Sequence, residues 1–141
     1  MVDDSLVGTW RLLSCESEDD NGRVTLPFGQ DPAGFITYGA DGRMAVQFGR
    51  ADRPGIATGD WFNAPDAEVA AAARMYFAYC GTYSYADGTV THRIELSLLP
   101  DWIGIEQVRS VELDGDRVTL TTPPTPIQGR PQRSRLVWQR G

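Results

Sequence analysis

Short apolar, β-branched runs recur along this chain, separated by polar turn signals. Leu6 to Cys15, LVGTWRLLSC, reads as a first strand. Asn21-Gly22 marks a turn, and a short strand follows around Val24 to Leu26. Pro27 to Gly34 is a loop. Phe35 to Tyr38 and Arg43 to Phe48 form a hairpin across Gly39-Ala40-Asp41-Gly42, by a two- or four-residue loop. Gly49 to Ala64 is irregular, with Pro54 and the pair Trp61-Phe62.

One stretch has helical rather than strand character. Asn63 suits a cap, Pro65 the first turn, and Asp66 and Glu68 favour the positive end of the helix dipole. The alanine-rich body that follows spaces Val69, Ala72, Met75 or Tyr76, and Tyr79 along one face. A helix over about 65–80, ended by Gly81, is expected.

Four more strands follow: Thr82 to Ala86, Thr89 to Leu98, Ile105 to Leu113 and Arg117 to Thr122. The proline-rich segment Thr122 to Gln132 cannot be a central strand, and Ser134 to Arg140 closes the chain as a last one. Eight or nine short strands with tight turns and one helix argue an antiparallel sandwich or up-and-down barrel.

The turns indicate which side chains face inward. A two-residue turn at Asp87-Gly88 pairs Tyr85 with Val90 and Tyr83 with His92. His92 shares its face with Ile94, Leu96 and Leu98, the more apolar face and therefore the inner one. The inverse assignment would put Glu95 inside instead. On the next strand Ile105, Gln107, Arg109, Val111 and Leu113 share the apolar face. A turn at Asp114-Gly115 pairs Val111 with Val118 and Glu112 with Arg117. The inner wall thus carries Tyr83, His92, Gln107 and Arg109. A guanidinium taken out of water needs a partner: a carboxylate, a tyrosine oxygen, trapped water or a ligand.

Composition narrows the chemistry. At 141 residues the chain makes one domain, 1–141. Its net charge of −6 disfavours nucleic acid as a partner. All 13 basic residues are arginine, which removes lysine Schiff-base chemistry and any P-loop lysine. Cys15 and Cys80 sit in no metal-spaced motif and read as reduced thiols in a cytoplasmic protein. The opening MVDDSLVGTW lacks the pattern of a signal peptide, and no run is long enough to span a membrane. The acidic run Glu18 to Arg23 reads as a solvated turn, because its ligands do not follow a calcium-loop pattern. One histidine and two isolated cysteines do not make a zinc site. A Cys80–His92 nucleophile pair and haem ligation by His92 have little support, and Glu95 and Glu106 fall on outer faces. No metal and no cofactor is expected.

Several segments in order resemble the small bacterial lipocalin-like domain family: LVGTWRLLS, ITYGADGRMAVQF, YFAYCGTYSYADGTVTHRIELSLLPDWIG, QVRSVELDGDRVTLTTPP and RLVWQR. The resemblance covers about Leu6 to Arg140. It implies a closed antiparallel up-and-down lipocalin-like barrel, with the helix at or near one mouth. It also implies that Trp10, in Gly8-Thr9-Trp10, plugs one barrel end. The family pattern often has two histidines where this chain has His92-Arg93, which weakens a two-histidine metal or acid–base site. Related barrels in bacterial secondary metabolism sometimes act as cyclases or isomerases.

Three functions follow as expectations. The first is a cofactor-free cyclase, isomerase or dehydratase. Here His92, hydrogen-bonded to Tyr83, moves a proton, and Arg109 stabilises developing negative charge. The second is a binder or carrier of a small hydrophobic molecule in the lumen. Trp10, Tyr38, Met44, Tyr76, Tyr79 and Trp102 would supply contact, and Gln107 with Arg109 would anchor an oxygen. The third is a barrel sealed by its own side chains. A monomer or a homodimer is compatible with all three.

Overall fold

The computed structural model describes residues 3–141. It is a closed antiparallel barrel. The strands are β1 (Gly8–Asp19), β2 (Val24–Thr25), β3 (Pro32–Tyr38), β4 (Arg43–Arg50), β5 (Tyr76–Ala86), β6 (Thr89–Ser97), β7 (Glu106–Asp114), β8 (Arg117–Thr121), β9 (Thr125–Ile127) and β10 (Arg130–Arg140). Neighbours run β1-β3-β4-β5-β6-β7-β8-β10, and β10 pairs back onto β1, so these eight strands have no free edge. β2 and β9 are short additions paired to β1 and β10. As the prolines require, β9 lies outside the barrel proper.

The helix is shorter than its composition suggests. α1 spans Asp66–Arg74, and Tyr76 to Gly81 belong to β5. The alanines support a helix, but the residues after Arg74 are aromatic and pack better on a pleated surface. Phe77, Tyr79, Tyr83 and Tyr85 occupy every second position except Gly81, and all belong to or pack on the core. That period of two outweighs the helical spacing. Pro65, not Asn63, stands at the helix N-cap; Asp60 instead caps a 3₁₀ turn at Trp61–Asn63. Tyr76 and Tyr79 are therefore strand residues on opposite faces.

Gly81 has a different task from ending a helix. A Cβ there would collide with the Arg93 carbonyl oxygen across the β5–β6 ladder. At this point the register slips by one residue, from Gly81↔Ile94 to Cys80↔Leu96, which leaves Glu95 as a bulge. The slip reverses the faces beyond it. His92 and Ile94 point inward, whereas Leu96 and Leu98 turn outward and are exposed, against the uninterrupted alternation expected from sequence. Glu95 is exposed and pairs with Arg43.

The Asp87-Gly88 turn gives the expected pairing, Tyr83 with His92 and Tyr85 with Val90. The next hairpin turns one residue later than Asp114-Gly115, so Val111 pairs with Leu120, Leu113 with Val118 and Asp114 with Arg117. A shift of two in pair register keeps every side chain on its face. Gln107, Arg109 and Val111 still point inward, while Ile105 and Leu113 at the strand ends are exposed.

One end of the barrel is closed. Trp10 is fully buried, its indole Nε1 donates to the Leu6 carbonyl at 2.9 Å, and the Arg140 guanidinium stacks over its ring at 4.1 Å. Arg140 also donates to the Val7 and Ser5 carbonyls, which ties the segment before β1 across that end. The opposite end carries Phe28, the β9 hairpin, a 3₁₀ turn at Pro100–Trp102 and the last residue of α1.

Candidate functional site

The open end leads into a cavity of about 490 Å³, within the range of small-molecule sites. Its walls are mostly apolar: Ile36, Val46, Phe48, Phe77, Leu120, Leu136 and Trp138 line it, with Phe28, Leu99, Trp102 and Ile127 toward the mouth. Four polar side chains matter for its chemistry: Tyr79, His92, Arg109 and, on α1, Arg74. No Asp or Glu lines it among the described residues. An electropositive lumen thus lies within a chain of net charge −6.

His92 sits at the centre of a three-residue chain. The Tyr38 hydroxyl lies 2.6 Å from its Nε2, and the Tyr79 hydroxyl lies 2.6 Å from its Nδ1. Burial, aided by the positive charge of Arg109, pulls the His92 pKa down to about 3, so the ring is neutral at physiological pH. Burial also raises Tyr38 and Tyr79 above the usual phenol range, with Arg109 opposing in both cases.

Counting donors assigns the protons. Tyr38 is buried, and His92 is its hydroxyl's one hydrogen-bond partner among the described residues. The Tyr38 hydrogen must therefore go to Nε2. A neutral imidazole then carries its hydrogen on Nδ1 and donates it to the Tyr79 oxygen. Tyr79 keeps its own hydrogen free, and Tyr79 lines the cavity. The chain Tyr38→His92→Tyr79 thus ends in a hydroxyl donor available to a lumenal molecule.

Arg109 supplies the second donor. It is only 8% exposed, and its Nη1 donates to Gln107 Oε1 at 3.2 Å and to the Val108 carbonyl at 3.1 Å. Both acceptors are neutral groups of its own strand. No carboxylate pairs with Arg109 among the described residues. Trp138 adds a third donor: its Nε1 is the one buried side-chain polar atom with no hydrogen-bond partner among the described residues.

Of the residues singled out from sequence, His92, Arg109, Tyr79 and Trp102 line the cavity together. Tyr38 stands behind His92. Tyr83 is the cross-strand neighbour of His92 but not its hydrogen-bond partner. Its hydroxyl donates to the Gly39 carbonyl at 2.8 Å, and its ring packs edge-on against Tyr38. Gln107 meets the cavity only through Arg109. Trp10 lies at the closed end, and Met44 is a core residue outside the lining. Tyr76 points to the outside of the sheet, beneath Arg53. Phe28, Phe48, Phe77, Leu120, Leu136 and Trp138 were not singled out. The alternation of Phe77 with Tyr79, and of Leu136 with Trp138, is the signal that marks three of them: Phe77, Leu136 and Trp138.

The pattern of a lipocalin-like domain matches residues 7–141 of this chain. Over 106 residues the chain is 35% identical to the 4'-hydroxy-3'-methoxypropiophenone carrier protein ppsC of Aspergillus oryzae (strain ATCC 42149 / RIB 40), covering 69% of this chain and 96% of that protein. Two solved structures are similar at low identity. A lipocalin-like protein from Bacteroides uniformis ATCC 8492 is 13% identical with a TM-score of 0.49, covering 96% of this chain and 98% of that one. An uncharacterized protein from Bacteroides eggerthii DSM 20697 is 15% identical with a TM-score of 0.49, covering 97% of this chain and 100% of that one.

Proposed function

Because this chain belongs to the lipocalin-like domain family, we propose that its barrel binds and carries a small, largely apolar molecule whose oxygen atom is held by Arg109 and Tyr79. The observation that carries this reading is the buried Arg109 guanidinium, which faces an apolar cavity and has no carboxylate partner among the described residues. Removing a charge from water without a counter-charge is costly, and a ligand oxygen offsets part of that cost. The aromatic side chains Phe48, Phe77, Trp102 and Trp138 suit a flat ring. An aryl ketone is the ligand class we favour, in line with the name of the Aspergillus relative. The free thiols Cys15 and Cys80 fit a cytoplasmic setting.

Carriage is favoured over catalysis by His92. An imidazole whose pKa lies near 3 is a weak base at neutral pH, and Tyr38 already occupies its accepting nitrogen. The polar chain is better suited to orienting the Tyr79 hydroxyl toward a ligand oxygen.

The test is a titration with para-hydroxypropiophenone, followed by tryptophan fluorescence and by mass spectrometry of the recovered ligand. Saturable one-to-one binding with the ketone recovered unchanged supports a carrier. Conversion to an isomer or a dehydrated product would make the protein an enzyme. Binding that survives a lumen-filling Leu120→Trp substitution would place the ligand elsewhere.

A further inference from the structure

We infer that the lumen takes its ligand as an oxyanion: an aromatic molecule with an acidic hydroxyl, bound deprotonated with the negative oxygen against Arg109. The inference rests on the lumenal-binding reading above and specifies the charge state of the ligand.

The argument is one of charge balance. The titratable groups facing this part of the lumen are Cys15 from β1, Tyr79 from β5 and His92 from β6, with Tyr38 from β3 behind His92. None supplies a negative charge at neutral pH. Burial pushes the Cys15 thiol up to about 12, both phenols are raised, and His92 is neutral. The fixed charges are Arg109 inside and Arg74 near the mouth, both positive. A neutral ligand would leave the buried guanidinium uncompensated, whereas an anion removes that cost.

Hydrogen-bond polarity points the same way. The Tyr79 hydroxyl, freed to donate by the tautomer that Tyr38 imposes, and the partnerless Trp138 indole N–H are both donors. An oxyanion only accepts, and its bonds to such donors are stronger than those of a neutral oxygen. Binding therefore shifts the ligand equilibrium: the O–H bond breaks, the proton leaves to solvent, and the electron pair stays on the oxygen beside Arg109. An opposite charge at this range lowers an acid's pKa by about one to three units.

The probe is para-hydroxypropiophenone, whose anion absorbs at longer wavelength than its neutral form. Its para-methoxy ether, which cannot ionise, is the control. Absorbance of the bound phenol is read across pH in wild type and in Arg109→Met. The expected result is ionisation in the wild-type complex about one to three units below the free phenol. The phenol should also bind about fivefold or more tighter than its ether near the free phenol's pKa. Both effects should vanish in Arg109→Met, where the phenol and its ether should bind alike. If Arg109→Met does not fold, the wild-type pH series and the ether comparison decide the matter alone. A bound phenol that stays neutral, or an ether that binds as well as the phenol, overturns the oxyanion inference but leaves the carrier reading intact. Binding of neither compound overturns both.

Discussion

The Tyr38 hydroxyl and His92 Nε2 stand 2.6 Å apart inside the barrel, joining strands separated by 54 positions of sequence. This contact fixes the tautomer of the only histidine, and so decides what Tyr79 can offer the lumen. In ¹⁵N-labelled protein, His92 should show hydrogen on Nδ1 with Nε2 accepting. Tyr38→Phe should release that preference and cost about 1–3 kcal/mol in urea denaturation, because Nε2 is left buried without a donor. Hydrogen on Nε2 in the wild type would reverse the direction of the chain.

The same burial predicts a pH dependence. The folded pKa of His92, about 3, lies below the ordinary imidazole value of 6.5. Between these values the unfolded chain binds a proton that the folded chain does not. Stability therefore falls as pH drops below about 6.5, and the His92 contribution reaches a loss of about 2 kcal/mol at pH 5. Denaturation midpoints at pH 7 and pH 5 measure it, with His92→Gln as the reference that lacks this slope. A wild-type slope no steeper than that of His92→Gln would show that the imidazole ionises in place.

Arg109 should matter more to binding than to folding. Its hydrogen-bond partners, Gln107 and Val108, are neutral neighbours on β7, so Arg109→Met breaks no ion pair. Removing a buried, uncompensated charge is neutral or stabilising, by up to a few kcal/mol. Affinity for an oxygen-bearing ligand should drop about tenfold or more, since a hydrogen bond to a charged group contributes about 1.5–3 kcal/mol. Urea melts and fluorescence titration on the same sample separate the two effects. A loss of stability with unchanged affinity would assign Arg109 to the core.

Gly81 carries the geometry of this wall. A methyl group there meets the Arg93 carbonyl oxygen, which belongs to the backbone and cannot swing aside. Gly81→Ala should cost about 3 kcal/mol or more and disturb the bulge at Glu95. Loss of hydrogen-exchange protection at Ile94 and Leu96 would localise the damage. A stability change under about 0.5 kcal/mol, typical of an unconstrained surface site, would mean that the two strands separate easily here.

This bulge also marks where the sequence stops being legible. Period-two patterning finds the barrel strands, and the Asp87-Gly88 turn correctly sets Tyr83 opposite His92. Glu95 looks like an ordinary outward residue, so nothing local reveals that Leu96 and Leu98 change sides there. The alanines of α1 hide the strand that begins at Tyr76, although the aromatic alternation from Phe77 to Tyr85 was available. The inward set on β7 survives its misplaced turn, because a pair shift of two preserves faces. The partners of His92 are harder to read. Tyr79 and Tyr83 both point inward from β5, and only the three-dimensional course of β3 shows that Tyr38 takes the second ring nitrogen.

Trp138 provides the last test, since its indole separates packing from ligand contact. The ring is 1% exposed and lies edge-on to Phe48, while Nε1 has no protein acceptor among the described residues. Trp138→Phe keeps an aromatic ring there and removes only the N–H and some volume. Without ligand, the lost volume is opposed by removal of a buried donor, so stability should change by about 1 kcal/mol or less. With a ligand whose oxygen reaches Nε1, affinity should fall about three- to tenfold, the range of one net hydrogen bond. A purely hydrocarbon ligand of similar size should show no such fall. Equal losses for both ligands would mean that the indole contributes only shape, and that Tyr79 and Arg109 alone hold the oxygen.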